Sequence, residues 1–194
     1  MCICFGQDLG AQKRIVIDAG HGGIDSGALA RNGAQEKDIV LNVAQEVLRL
    51  NSSLKEPHLI FLTRYSDTLI SLGDRTRLAM ALDADLFLSL HCNHAKNHRA
   101  RGVEVFAYRY PFKYSKTAVW MAYQLQNQFK KQLGFESRGV KFANFQVLRD
   151  TAKQCPALLL ELGFLSNADE NSFLSSKENA TRIALIILNI LETY

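Results

Sequence analysis

Short stretches such as "LFLSL" (Leu86 to Leu90) and "ALLLEL" (Ala157 to Leu162) limit what this chain can fold into. Successive side chains of a strand point to opposite faces, so a strand that is apolar at nearly every position must be buried on both sides. That places these segments in the middle layer of a sheet covered by helices on each face. Strands are predicted at Arg14 to Asp18, His58 to Thr63, Asp85 to His91, Val103 to Tyr108 and Ala157 to Leu162. Between them, "EKDIVLNVAQEVLRLN" sets Ile39, Val43, Ala44, Val47 and Leu48 on one helical face, opposite Lys37, Asp38, Gln45 and Arg49. Further helices are predicted from Leu72 to Leu82, from Lys116 to Leu133 and from Glu178 to the C-terminus. The expected architecture is a single three-layer α/β sandwich: a mixed, mostly parallel twisted sheet with helices on both faces.

A chain of 194 residues with 47% hydrophobic content can bury one substantial core, and no repeat at a fixed period is visible. We therefore expect one domain over residues 14–194, preceded by a tail of residues 1–13. The opening "MCICFGQDLGAQ" has no basic region and too short an apolar stretch for a complete signal peptide, although a signal remnant would look the same. "IALIILNILETY", from Ile183, is too short to span a bilayer and carries helical periodicity, so no membrane span is expected. The net charge of +4 comes from scattered cations, which gives no reason to expect a nucleic-acid partner. Cys2, Cys4, Cys92 and Cys155 lack zinc-ribbon spacing and are expected as free thiols.

Three of the apolar strands run into a residue that binds metal or moves protons. "RIVIDAGH" delivers His21, "DLFLSLH" delivers His91 and "PALLLELG" delivers Glu161. In an open α/β sheet, ligands sit beyond the carboxyl ends of the strands, so neighbouring parallel strands would make these side chains converge. A catalytic zinc takes three protein ligands and keeps a fourth position open, so two histidines need one more donor. Glu36, Asp25, Asp18, Glu104 and Glu161 are all chemically eligible. Glu36 opens the first amphipathic helix within reach of His21, whereas Glu161, on its apolar strand, suits a general base better. Taken alone, a strand-end histidine is more often a satisfied structural residue, and Glu36 would simply favour a helix N-terminus. His94 and His98 follow His91 in a polar stretch and rank below it as ligands. "GHGG" lacks the following Lys-Ser/Thr of a phosphate loop.

Beyond these residues, the sequence resembles the zinc-dependent N-acetylmuramoyl-L-alanine amidases of the amidase 3 family. The resemblance rests on "IDAGHGGIDSGA", "EKDIVLNVA", "LTRYSD", "LGDRTRLA", "LFLSLHCNH", "RGVEVF", "SRGVK", "FQVLRD" and "PALLLELGFLSN", in order, over about residues 14–194. It implies one zinc ion held by His21, Glu36 and His91, and Glu161 as the catalytic carboxylate. It also implies peptidoglycan as substrate, cut at the amide joining the muramic acid lactyl group to L-alanine, and hence a periplasmic or extracellular location. Asn93, Arg138, Lys141 and Arg149 are candidate substrate contacts, guanidinium groups being suited to peptide carboxylates, and the three cations are equally eligible as surface ion pairs or as the groove wall. Asn93 and Asn167 would either orient substrate or cap turns. Some family members carry a long helical insertion after the segment matching "RGVEVF" that blocks the zinc. Only "AYRYPFKYSK" stands there in this chain, so an open site is expected, in a monomer. The rival readings are a zinc peptidase cutting within the stem peptide and an idle wall-binding module.

Overall fold

The computed structural model describes residues 12–194. Most of the expected 1–13 tail, with Cys2 and Cys4, lies outside them. Six strands, β1 (Arg14–Ala19), β2 (Leu59–Leu62), β3 (Leu86–Asn93), β4 (Val103–Tyr108), β5 (Ser137–Ala143) and β6 (Ala157–Phe164), form one sheet in the order β2-β1-β3-β6-β4-β5. β2, β1, β3 and β6 run parallel. β4 is antiparallel to β6 and carries β5 with it in parallel. The sheet is therefore mixed and mostly parallel, as the sequence predicts.

The period-2 alternation of apolar residues sorts into two cores. Ile15, Ile17, Leu88, Leu90, Leu158 and Leu160 pack against α1 (Glu36–Asn51), α3 (Ser115–Gln128) and α6 (Lys177–Thr193). Val16, Phe87 and Leu159 pack on the other face against α2 (Leu72–Ala81) and α4 (Gln146–Thr151). Strands apolar on both faces thus form the middle layer of three. α6 places Ile183, Ala184, Ile186, Ile187 and Leu191 inward, so the long apolar run near its end is core.

Three elements lie outside the sequence-based assignment. β5 is an edge strand of sequence "SRGVKFA", whose polar composition hides the period-2 signal. α4 and α5 (Ala168–Leu174) have six and seven residues, too few to show a helical period. The helix expected to reach Leu133 is α-helical only to Gln128 and continues as one wider turn over Phe129–Leu133, ended by Gly134 in the left-handed conformation.

Because Leu160 is fully buried in β6, Leu160→Ala is expected to cost about 3 kcal/mol of stability in denaturant unfolding. The exposed Leu185→Ala on α6 should cost under about 0.5 kcal/mol.

Candidate metal centre

The parallel strands β1, β3 and β6 bring their carboxyl ends to one edge of the sheet, and the polar residues read from the sequence meet there. His21 lies two residues beyond β1, while His91 of β3 is in register with Glu161 of β6. Glu36 is the first residue of α1 and is buried. Its Oε1 lies 3.1 Å from His21 Nε2 and 2.9 Å from His91 Nδ1, and it accepts the Cys92 backbone N–H. Its Oε2 accepts the Ala28 N–H at 2.8 Å. One donor atom each from His21, Glu36 and His91 lies within 4.8 Å of the others. Burial would push the Glu36 carboxyl up, but hydrogen bonds from His21 and His91 outweigh it and hold the group well below the usual carboxylate range. The hydrogen bond to Glu36 raises His21 to about 9, against a smaller opposing effect of burial.

His21 adopts a left-handed backbone, φ 58°, which costs energy for any residue with a Cβ. Its neighbours hold it there. Arg64 donates from Nε to the Ala19 carbonyl and from Nη2 to the Gly20 and Lys37 carbonyls. Arg75 donates to the Ala19 and His21 carbonyls and pairs with Asp18 at 2.6 Å. Both arginines are buried. Asp25 Oδ2 lies 2.8 Å from His21 Nδ1, where a carboxylate orients an imidazole so that its other nitrogen faces the centre. Glycine is required at two positions for close approach. A Cβ at Gly20 would stand 2.6 Å from His91 Nε2, and one at Gly27 would stand 2.6 Å from His21 Cδ2.

Glu161 is half-buried, and its Oε2 has no hydrogen-bond partner among the described residues. Burial raises its pKa to about 7, with Glu36 and Glu104 adding to the rise and the two histidines opposing it. Glu104 faces Glu161 across the antiparallel β4–β6 pair. It accepts from Asn93 Nδ2 at 2.7 Å and Arg138 Nε at 2.9 Å, and also pairs with Lys141. His21, Gly27, Glu36, His91, Asn93 and Glu161 line a cleft of about 540 Å³.

The other residues singled out in the sequence fall in different places. Asp18 is engaged by Arg75, Thr63 and Ser89, and so is not in the cleft. His94 lines the cleft wall, outside the group of three donors. His98 bonds the Ser166 carbonyl, and Asn167 caps α5 by accepting from the Asp169 and Glu170 N–H groups. Arg149 lies on α4 beside Asp150 and is not brought to the cleft. Cys92 and Cys155 are buried free thiols. Sequence reasoning assigned no role to Arg64 and Arg75. The available signal was an arginine at a buried position in α2, where the helical pattern calls for an apolar residue.

Arg75→Met should lower stability by about 3 kcal/mol, because it leaves Asp18 buried without its partner. If the three donors hold a metal, it should also weaken that binding, measured by competition with a chromogenic chelator, more than Leu160→Ala does. The pH dependence has opposite signs with and without metal. In the metal-free protein, protonated His21 stabilises the fold fully below its ordinary pKa of 6.5, and this stabilisation is lost as pH rises through about 9. Metal binding requires the neutral ring, so affinity should rise about tenfold per pH unit from neutrality toward about 9.

The family described as N-acetylmuramoyl-L-alanine amidase matches residues 15–193. The chain is 40% identical over 164 residues to an endolysin of Bacillus phage SPP1, covering 84% of this chain and 58% of that protein. It is 37% identical over 171 residues to the N-acetylmuramoyl-L-alanine amidase CwlM of Bacillus licheniformis, covering 88% of this chain and 64% of that one. The chain thus spans about three-fifths of the length of these two relatives. The catalytic domain of CwlV, an N-acetylmuramoyl-L-alanine amidase from Bacillus (Paenibacillus) polymyxa, superposes with a TM-score of 0.84 at 33% identity, covering 94% of this chain and 97% of that one. A match over almost every described residue, with the same three-layer fold, places this chain in the N-acetylmuramoyl-L-alanine amidase family, amidase 3.

Proposed function

We propose that this protein is a zinc-dependent hydrolase that cleaves the amide between the N-acetylmuramic acid lactyl group and L-alanine of the peptidoglycan stem peptide. The observation that carries this reading is the meeting of three donors, His21, Glu36 and His91, in one cleft with Glu161, whose Oε2 has no partner among the described residues. Two imidazoles and one carboxylate suit zinc, and three protein ligands leave a position open. Bound there, zinc would supply Lewis acidity toward a water and the scissile carbonyl.

Glu161 does the proton work. Its free Oε2 accepts the proton of the attacking water and then gives it to the departing alanine nitrogen, so the proton gained in one step is lost in the next. Burial raises this carboxyl, to about 7 in the metal-free protein, while a cation held by His21, Glu36 and His91 would lower it, so the two effects oppose one another in a group that must both take and return a proton. Glu36, held well below the usual range, stays ionised and cannot take over that role. We further propose that Asn93, on the cleft wall, orients the substrate. In the same reading, Arg138 and Lys141, whose side chains are 37% and 39% exposed, meet stem-peptide carboxylates at the rim. The substrate lies outside the cytoplasmic membrane, so the protein's place of action is the periplasm or the extracellular face of the wall.

Glu161→Gln should lower turnover of muropeptides about a thousandfold while metal content stays unchanged. His21→Ala and His91→Ala should lose the metal, and a chelator should abolish activity until zinc is restored. Mass analysis identifies the bond cut. An intact stem peptide with a free alanine amine supports the amidase reading, whereas a product cut within the stem peptide assigns the same centre to a peptidase.

A further inference from the structure

The stretch that closes β4 and leads into α3, "YRYPFKYSK" (Tyr108 to Lys116), alternates aromatic rings with cations, and nothing in the metal centre uses it. It forms one wall of a groove of about 630 Å³. The other walls are Val119, Trp120 and Tyr123 of α3, with Val140 and Phe142 of the edge strand β5. Because β4 runs antiparallel to β6, this groove lies at the opposite end of the strand from Glu104. At the usual strand rise, Tyr108 is about 13 Å from Glu104, so the groove is separate from the cleft.

The lining is exposed and chemically selective. Tyr110, Trp120, Tyr123 and Phe142 are 50%, 42%, 57% and 59% exposed, a density of aromatic surface that marks binding faces. Arg109 lies over the Tyr110 ring at 4.7 Å and donates to its hydroxyl, so it is held in place without a carboxylate. Lys116 also lines the groove, and no acidic side chain does so among the described residues. An occupant that complements this surface presents flat apolar ring faces and negative charge.

We propose that the groove is a second binding site for the wall glycan, with sugar ring faces on Trp120, Tyr123 and Phe142 and stem-peptide carboxylates on Arg109 and Lys116. This rests on the peptidoglycan reading above. Single-stranded nucleic acid has a similar combination of rings and anions. The wall polymer is favoured because the same chain acts on it, and a repeating polymer held at two points gains effective concentration at the cleft without any new contact there. The groove therefore favours sacculi over small fragments.

The test compares the wild-type protein with Trp120→Ala/Tyr123→Ala and with Lys116→Glu. Lys116 is exposed, so its variant covers the case in which the double variant fails to fold. Co-sedimentation with sacculi stripped of teichoic polymers should fall roughly five- to tenfold in the double variant, in keeping with the loss of one or two aromatic contacts, and should also fall in Lys116→Glu, which reverses the charge offered to the carboxylates. Release of stem peptide from soluble muropeptides should be unchanged. Unaltered co-sedimentation overturns the proposal. Groove-dependent binding of a single-stranded oligonucleotide that exceeds sacculus binding overturns it in favour of nucleic acid. A groove-dependent dimer in sedimentation velocity overturns it in favour of a second copy of the chain. Groove-dependent sedimentation by a protein that cleaves no muropeptide upholds the groove and overturns the enzymatic reading instead.

Discussion

The candidate centre depends on two buried guanidinium groups. The backbone between β1 and α1 turns away from the sheet at Ala19, so the carbonyls of Ala19, Gly20 and His21 have no strand to pair with. Arg64 and Arg75 take all three. A guanidinium has five donors in a rigid fork, which lets one side chain replace several ladder hydrogen bonds. Asp18 fixes the fork of Arg75 and also accepts from Thr63 and Ser89, linking β1 to β3 and to the segment after β2. Against an apolar replacement such a buried pair contributes little net stability. What it fixes is position, since His21 is held at a positive φ that its own backbone does not prefer.

Around this frame, carboxylates of the same chemistry are separated by their surroundings. Asp18 is consumed by structure. Glu36 sits between two imidazoles with both oxygens occupied, which suits a ligand. Glu104 is neutralised at the cleft edge by Arg138 and Lys141 while holding the Asn93 amide. Among the described carboxylates, Glu161 alone keeps a buried oxygen with no partner, beside Glu104 on the neighbouring strand. The negative charge on that neighbour raises the cost of ionising Glu161, and the lysine and arginine limit how large that cost becomes.

How much of this was legible in the sequence follows from where the signal lies. Strands apolar on both faces dictated the middle layer, and a histidine or glutamate at the end of such a strand is conspicuous because it breaks the run. His21, His91 and Glu161 were readable for that reason. Glu36 was one of several eligible acids on the residues alone. The structure distinguishes it by giving Asp18, Asp25 and Glu104 other partners. Arg149 and Arg138 look alike in sequence, yet only Arg138 stands beside the cleft, because the reversal of β4 and β5 carries "SRGVK" to that edge. Strand direction is set by how the crossovers pack, which local composition does not record. The edge strand β5 was invisible for the related reason that half its surface faces water and its residues are polar.

The last strand in sequence, β6, occupies an inner place in the sheet, between β3 and β4. Pairing such distant segments carries a loop-closure entropy that must be overcome before the contacts return any energy. A chain still emerging from the ribosome therefore holds both histidines and Glu36, yet lacks Glu161 and the strand that braces His91. In the reading proposed above, the full catalytic set is therefore assembled only when β6 docks between β3 and β4. Misfolded or truncated copies that lose β6 would keep the three donors without Glu161, and on that reading are expected to be silent and not errant.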